Sequence, residues 1–138
     1  MWIDDLSQYG NSARLVAIGW LERGHQYPLG EVSPDVFTKL VDLLVDPWQP
    51  AIAGGGHPCD LCLYGPEKSG GNNVFVPGDG RVYVAPELIL HYMNAHRYRP
   101  PDEFCRAVSA CPPMRSSEYR RALMSAAGPG FLPAFGAT

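Results

Sequence analysis

Cys59-Asp60-Leu61-Cys62 sets two thiols two residues apart, and His91 and His96 follow beyond a turn-rich segment. No other feature restricts the fold as much. Thiolates and neutral imidazoles suit a borderline-soft divalent ion, and four such donors complete a tetrahedral zinc site with no open position for chemistry. The expected ligands are Cys59, Cys62, His91 and His96, with the zinc serving as structure. His57, two residues before Cys59, is the competing candidate. It could replace His91 or His96, or orient a ligand from outside.

The order of CxxC, loop, β-hairpin and helix with late ligands is that of a treble-clef-like zinc module, spanning about residues 54–100. Residues five apart on a regular helix are rotated by roughly 140°. His91 and His96 therefore reach one ion only if the helix loosens or ends near His96, and Pro100-Pro101 makes an end there natural. Gly54-Gly55-Gly56 permits the tight bend in which amides turn toward sulfur. The alternative is that the cysteines are merely buried and the histidines a surface pair. That requires several coincidences beside one glycine-rich bend and one helix stop.

The rest of the chain reads as short elements joined by shaped turns, as 15 glycines and 14 prolines imply. Leu15 to Leu21 is an unbroken apolar run, hence a strand covered on both faces. Ser33-Pro34-Asp35 opens a helix with a capping hydroxyl, a proline at the first position and a carboxylate at the positive end. Its apolar positions continue to Leu44, and Pro47 stops it after Asp46. Pro47 to Gly56 is a linker by composition, and Glu67 to Asn73 a loop. Val74-Phe75-Val76 and Val82-Tyr83-Val84 flank Pro77-Gly78-Asp79-Gly80 as a hairpin. A second helix opens at Pro86-Glu87, a third near Asp102 and a fourth at Ser116 or Ser117, ending by Gly128. The tail over 128–138 is expected to be extended.

The 138 residues are expected to form a single α+β domain. A small antiparallel sheet with the hairpin would pack on helices. Hydrophobic residues make up 46% and charged residues 18%, enough apolar surface for a core that does not depend on metal, so zinc would be a local staple. The N-terminus lacks a basic and apolar leader pattern and no run is long enough to span a bilayer, so the expectation is a cytoplasmic protein without a membrane partner. In a reducing compartment Cys105 and Cys111 read as core thiols, lacking a CxxC partner. His25 reads as an exposed loop residue, and Asp102 and Glu103 as helix-opening carboxylates.

Val16 to Leu21, Gly56 to Cys62, Tyr83 to Tyr92 and His96 to Phe104 together resemble an uncharacterised family of small bacterial proteins, over roughly residues 14–110. The resemblance implies a metal-binding domain and no particular substrate. It joins His91, His96 and the Pro-Pro stop to the CxxC as one pattern.

Three functional classes follow. The first is a zinc-stabilised domain acting in protein interaction or regulation, with a protein partner. The second is a zinc hydrolase or deaminase. Pro58-Cys59-x-x-Cys62 matches half of a deaminase signature, but the preceding His-x-Glu is missing, and Glu87 or Asp60 would have to act as base. The third is nucleic-acid binding through Arg97, Arg99, Arg115, Arg120 and Arg121, which a net charge of -3 and a pI near 5.7 disfavour. The first class is preferred because four Cys/His ligands leave no vacant site and no nucleophile–base pair is evident.

Overall fold

A computed structural model describes residues 1–50, 57–63 and 69–128, with the side chain of His57 excepted. In chain order the elements are β1 (Gln8–Tyr9), β2 (Ser12–Ala17), α1 (Pro34–Leu43), β3 (His57–Pro58), β4 (Ser69–Gly70), β5 (Asn73–Pro77), β6 (Val82–Pro86), α2 (Ile89–Ala95), α3 (Asp102–Ala110) and α4 (Ser117–Ala127). The fold class is α+β, as expected. The tail expected to be extended falls almost wholly outside the described residues.

The main sheet has the order β1-β2-β6-β5 and is mixed, which corrects the antiparallel sheet expected from the hairpin. β5 and β6 form that hairpin, in register from Asn73 opposite Pro86 to Pro77 opposite Val82. Its turn closes with the Gly78 amide on the Arg81 carbonyl, and Gly80 takes a φ of 74° that favours glycine. On its other side β6 pairs in parallel with β2, Leu15 opposite Val82 and Ala17 opposite Val84. All five residues of β6 are buried, as suits a central strand covered on both faces.

The apolar run from Leu15 is buried through Leu21. The strand proper, however, starts earlier and ends at Ala17. Gly19, at φ 74°, turns the chain away, and its amide donates to Asp5 Oδ1 at 2.9 Å. The Val84 carbonyl then accepts from both the Ile18 amide and the Trp20 indole, at 3.0 and 2.9 Å. Helix α1 carries the expected Ser33 cap, whose hydroxyl accepts from the Asp35 amide. It ends at Leu43, one turn short of Pro47.

Helix α1 packs on α3, and α4 packs on β5. Phe104, fully buried on α3, sets its ring edge-on to Tyr83 with centroids 5.8 Å apart. Tyr119 on α4 is likewise buried and donates its hydroxyl to the Phe75 carbonyl. The described buried side-chain nitrogen and oxygen atoms all have hydrogen-bond partners. Among the described residues no helix is long and apolar enough to cross a membrane.

Candidate metal centre

The knuckle Cys59–Cys62 follows β3, a two-residue strand paired antiparallel with β4, His57 opposite Gly70. Neither strand was legible from composition, because two-residue ladders have no periodicity. The amides of Leu61 and Cys62 hydrogen-bond to the Cys59 sulfur; Gly54-Gly55-Gly56, where the sequence suggested the bend, lie outside the described residues. Cys59 is fully buried, and burial pushes its thiol up while those two amides pull it down.

The histidines come from the next segment. Helix α2 starts at Ile89, three residues later than Pro86, because Pro86 still belongs to β6 and Glu87 and Leu88 form a turn. His91 lies in its first turn. His96 is the C-cap residue at φ -121°, and Arg97 follows at φ 54°, so the helix ends where the ligand geometry demanded. The Tyr92 carbonyl accepts from both the His96 and Tyr98 amides, at 3.0 and 3.1 Å, fixing the sharp exit.

Cys59, Cys62, His91 and His96 thus converge, and their ligand atoms all lie within 4.8 Å of one another. Cys62 Sγ is 3.2 Å from His91 Nε2 and 3.5 Å from His96 Nε2, and Cys59 Sγ is 3.5 Å from His96 Nε2. The two imidazoles stand nearly perpendicular, at 84°. Burial holds the His96 ring below its ordinary pKa, which favours the neutral, ligating form. Tyr92 lies beneath, 1% exposed, its phenol pushed up by burial and by the nearby Cys59, Asp60 and Cys62. This group of side chains can hold a metal ion.

The other candidates are spent elsewhere. His57 pairs through its backbone with Gly70, and its imidazole lies outside the described residues. Cys111 is buried at the end of α3, its thiol pushed up to about 11 by burial, and Cys105 is half-buried; neither belongs to the cluster. His25 is exposed but not isolated, stacking on Trp2 with centroids 4.4 Å apart. Glu87 Oε1 accepts the amides of Gly71 and Asn72, at 2.6 and 3.0 Å, so it secures the β4–β5 junction. Asp60 Oδ1 accepts the Arg23 amide at 3.0 Å. Each carboxylate is thus tied to the backbone through one of its oxygens. Arg99, Arg115 and Arg121 each face a carboxylate, at 3.0, 3.1 and 3.6 Å. Asp102 and Glu103 do open α3, with Asp102 on Arg99 and Glu103 accepting the Tyr83 hydroxyl at 2.7 Å.

Sequence reasoning missed Arg23 and Tyr27. The Arg23 guanidinium reaches the Cys62 carbonyl at 3.3 Å, and the Tyr27 hydroxyl donates to the His96 carbonyl at 3.0 Å. Both partners are backbone carbonyls, which carry no signature in a sequence.

The fold and the cluster define a small α+β domain with a Cys2His2 group of metal-binding composition. The chain belongs to the family described as Domain of unknown function (DUF7919), whose model matches residues 1–109. That match takes in β1 and the N-terminal segment, which the resemblance read from the sequence left out, and it stops before α4. No curated protein and no solved structure matches the chain.

Proposed function

We propose that the chain is a zinc-stapled domain that acts through protein interaction or regulation, with Cys59, Cys62, His91 and His96 as a closed, treble-clef-like ligand set. One observation carries this reading. In a tetrahedral zinc site, bond lengths of about 2.3 Å to sulfur and 2.05 Å to nitrogen put the sulfur–nitrogen edges at about 3.6 Å. The three short sulfur–nitrogen separations are 3.2, 3.5 and 3.5 Å. Two thiols and two imidazoles are also the donor chemistry zinc takes.

When bound, the ion would cross-link the knuckle to the end of α2 and stabilise the thiolates. Four protein ligands leave it no site for a substrate. Asp60 and Glu87 are engaged by backbone amides, so the hydrolase and deaminase readings lack a base. Reduced thiol ligands fit a cytoplasmic setting. Leu29 and Leu63, 63% and 71% exposed on the two segments flanking the cluster, give a protein partner apolar surface to meet.

The test is metal analysis of protein purified without chelator, followed by X-ray absorption at the zinc edge. One zinc per chain with two sulfur and two nitrogen neighbours is expected. Protein free of zinc overturns the reading, and a bound water in place of one ligand reopens the enzyme class.

A further inference from the structure

The segment from Arg23 to Gly30 grips both halves of the ligand set. On the thiol side, the Arg23 amide donates to Asp60 inside the knuckle, and its guanidinium to the Cys62 carbonyl. On the imidazole side, the Tyr27 hydroxyl donates to the carbonyl of His96 itself. The Gly30 amide then reaches the Arg97 carbonyl at 3.0 Å, and the Arg99 amide reaches the Pro28 carbonyl at 2.9 Å. Leu29 and Tyr98 thereby form an antiparallel bridge, and the Tyr27 ring sets its edge to Tyr98.

These attachments fall where the ligands most need them. His91 is positioned by a helical turn, whereas His96 sits past the last turn, on a backbone that changes hand at Arg97. Cys62 likewise follows the turn of the knuckle and lies in neither strand nor helix. The Tyr92 carbonyl holds the turn at His96 from within, and residues 23–30 hold the same turn from outside. We infer that residues 23–30 form a strap across the metal site whose closure governs how long the ion stays bound, with Tyr27 and Asp60 as its positioning residues. This inference rests on reading the cluster as a zinc site.

Linkage makes the effect reciprocal: if the closed strap strengthens metal binding, bound metal closes the strap by the same factor. The strap also carries the exposed Leu29. Metal occupancy would therefore be transmitted to a surface that a partner can read.

The experiment uses the zinc-loaded full chain and follows zinc release to excess colorimetric chelator. Tyr27→Phe and Asp60→Ala should each speed release about three- to tenfold, and together more, as expected for loss of supporting hydrogen bonds. Asp60→Asn keeps an oxygen that accepts the Arg23 amide and should release zinc at the wild-type rate. A merely structural role would lower the melting temperature of the metal-free variants, which should instead match metal-free wild type. Hydrogen exchange on wild type supplies an arm independent of mutation: removing zinc should strip protection from the Gly30 and Arg99 amides. Unchanged release from the double variant, or strap amides indifferent to zinc, overturns the strap while leaving the zinc reading intact. Wild-type protein that holds no zinc overturns both. Should the double variant fail to fold, the exchange result on wild type decides.

Discussion

The sheet half and the metal half of this molecule are held by different physics. β6 is buried throughout, β5 from Val74 and β2 from Leu15, with Phe104, Tyr119 and Leu123 closing the faces from the helices. Around the cluster the described residues form two two-residue strands, a knuckle and a seven-residue helix. Burial scales with apolar area and needs extended elements to collect it. A segment too short to collect much such area leans more on directional bonds, here the hydrogen bonds of residues 23–30. Leu88, Ile89, Tyr92 and Tyr98 are nonetheless buried in the same core as the sheet, so an ion held by the four side chains would add a local tie to a core that already reaches the cluster.

The largest expected effect lies in the sheet half. Phe104→Ala removes a fully buried ring that packs on Tyr83 and should cost about 3–5 kcal/mol. Thermal or denaturant unfolding should show the same loss with zinc and with chelator. A loss that appears only without zinc would mean that the two halves depend on the ion to unfold as one unit, and the comparison would fail.

Chelation should have the complementary signature. Amides from Val74 to Val76 and Val82 to Ala85 should keep most of their exchange protection, while Asp60 to Cys62 and the turn at His96 lose theirs. Simultaneous loss across both sets would show that zinc organises the entire fold, as it does in small fingers that are unfolded without metal.

A smaller effect is expected at Glu87, which joins the two halves by holding the Gly71 and Asn72 amides between β4 and β5. Glu87→Ala should cost about 1–3 kcal/mol, since hydrogen bonds to a charged acceptor are lost. Zinc content should stay at the wild-type level, read by metal analysis beside the unfolding curve. Loss of metal with the carboxylate would give Glu87 a role in the site that its contacts do not.

How much of this was legible in the sequence depended on range. The Ser33 cap, the hairpin turn and the CxxC act within a few residues, so residue type and spacing carry them. The helix end at His96 was legible because two ligands five apart cannot share an ion on an unbroken helix. The parallel pairing of β2 with β6 was not, because Leu15 and Val82 meet across an intervening helix and knuckle, and nothing in either strand names its partner. Residues 23–30 were illegible for another reason. Their hydrogen-bond partners across the site are main-chain carbonyls, the Arg99 amide and one acidic side chain, chosen by geometry alone.

The smallest effect concerns the seam itself, at Asp5. Its carboxylate accepts the Gly19 amide at 2.9 Å, where the sheet strand ends, and the Tyr98 hydroxyl at 2.7 Å, where the chain leaves the metal half. Burial raises its pKa, and the neighbouring Asp4 adds a little, while the two hydrogen bonds pull the other way without winning. A carboxyl whose folded pKa is raised binds its proton more tightly folded than unfolded. Its stabilising contribution is therefore complete below the unfolded pKa and is lost as pH rises through the folded one. At neutral pH the ionised group is a local cost retained for the two bonds it makes. Asp5→Asn keeps an oxygen for the Gly19 amide and can donate to the Tyr98 oxygen, but carries no charge to desolvate. Unfolding curves measured across mildly acidic pH should lose this group's pH slope, with little change in stability at neutrality. If the slope persists in Asp5→Asn, Asp5 is not its source; if neutral stability falls sharply, the charge itself holds the two halves together.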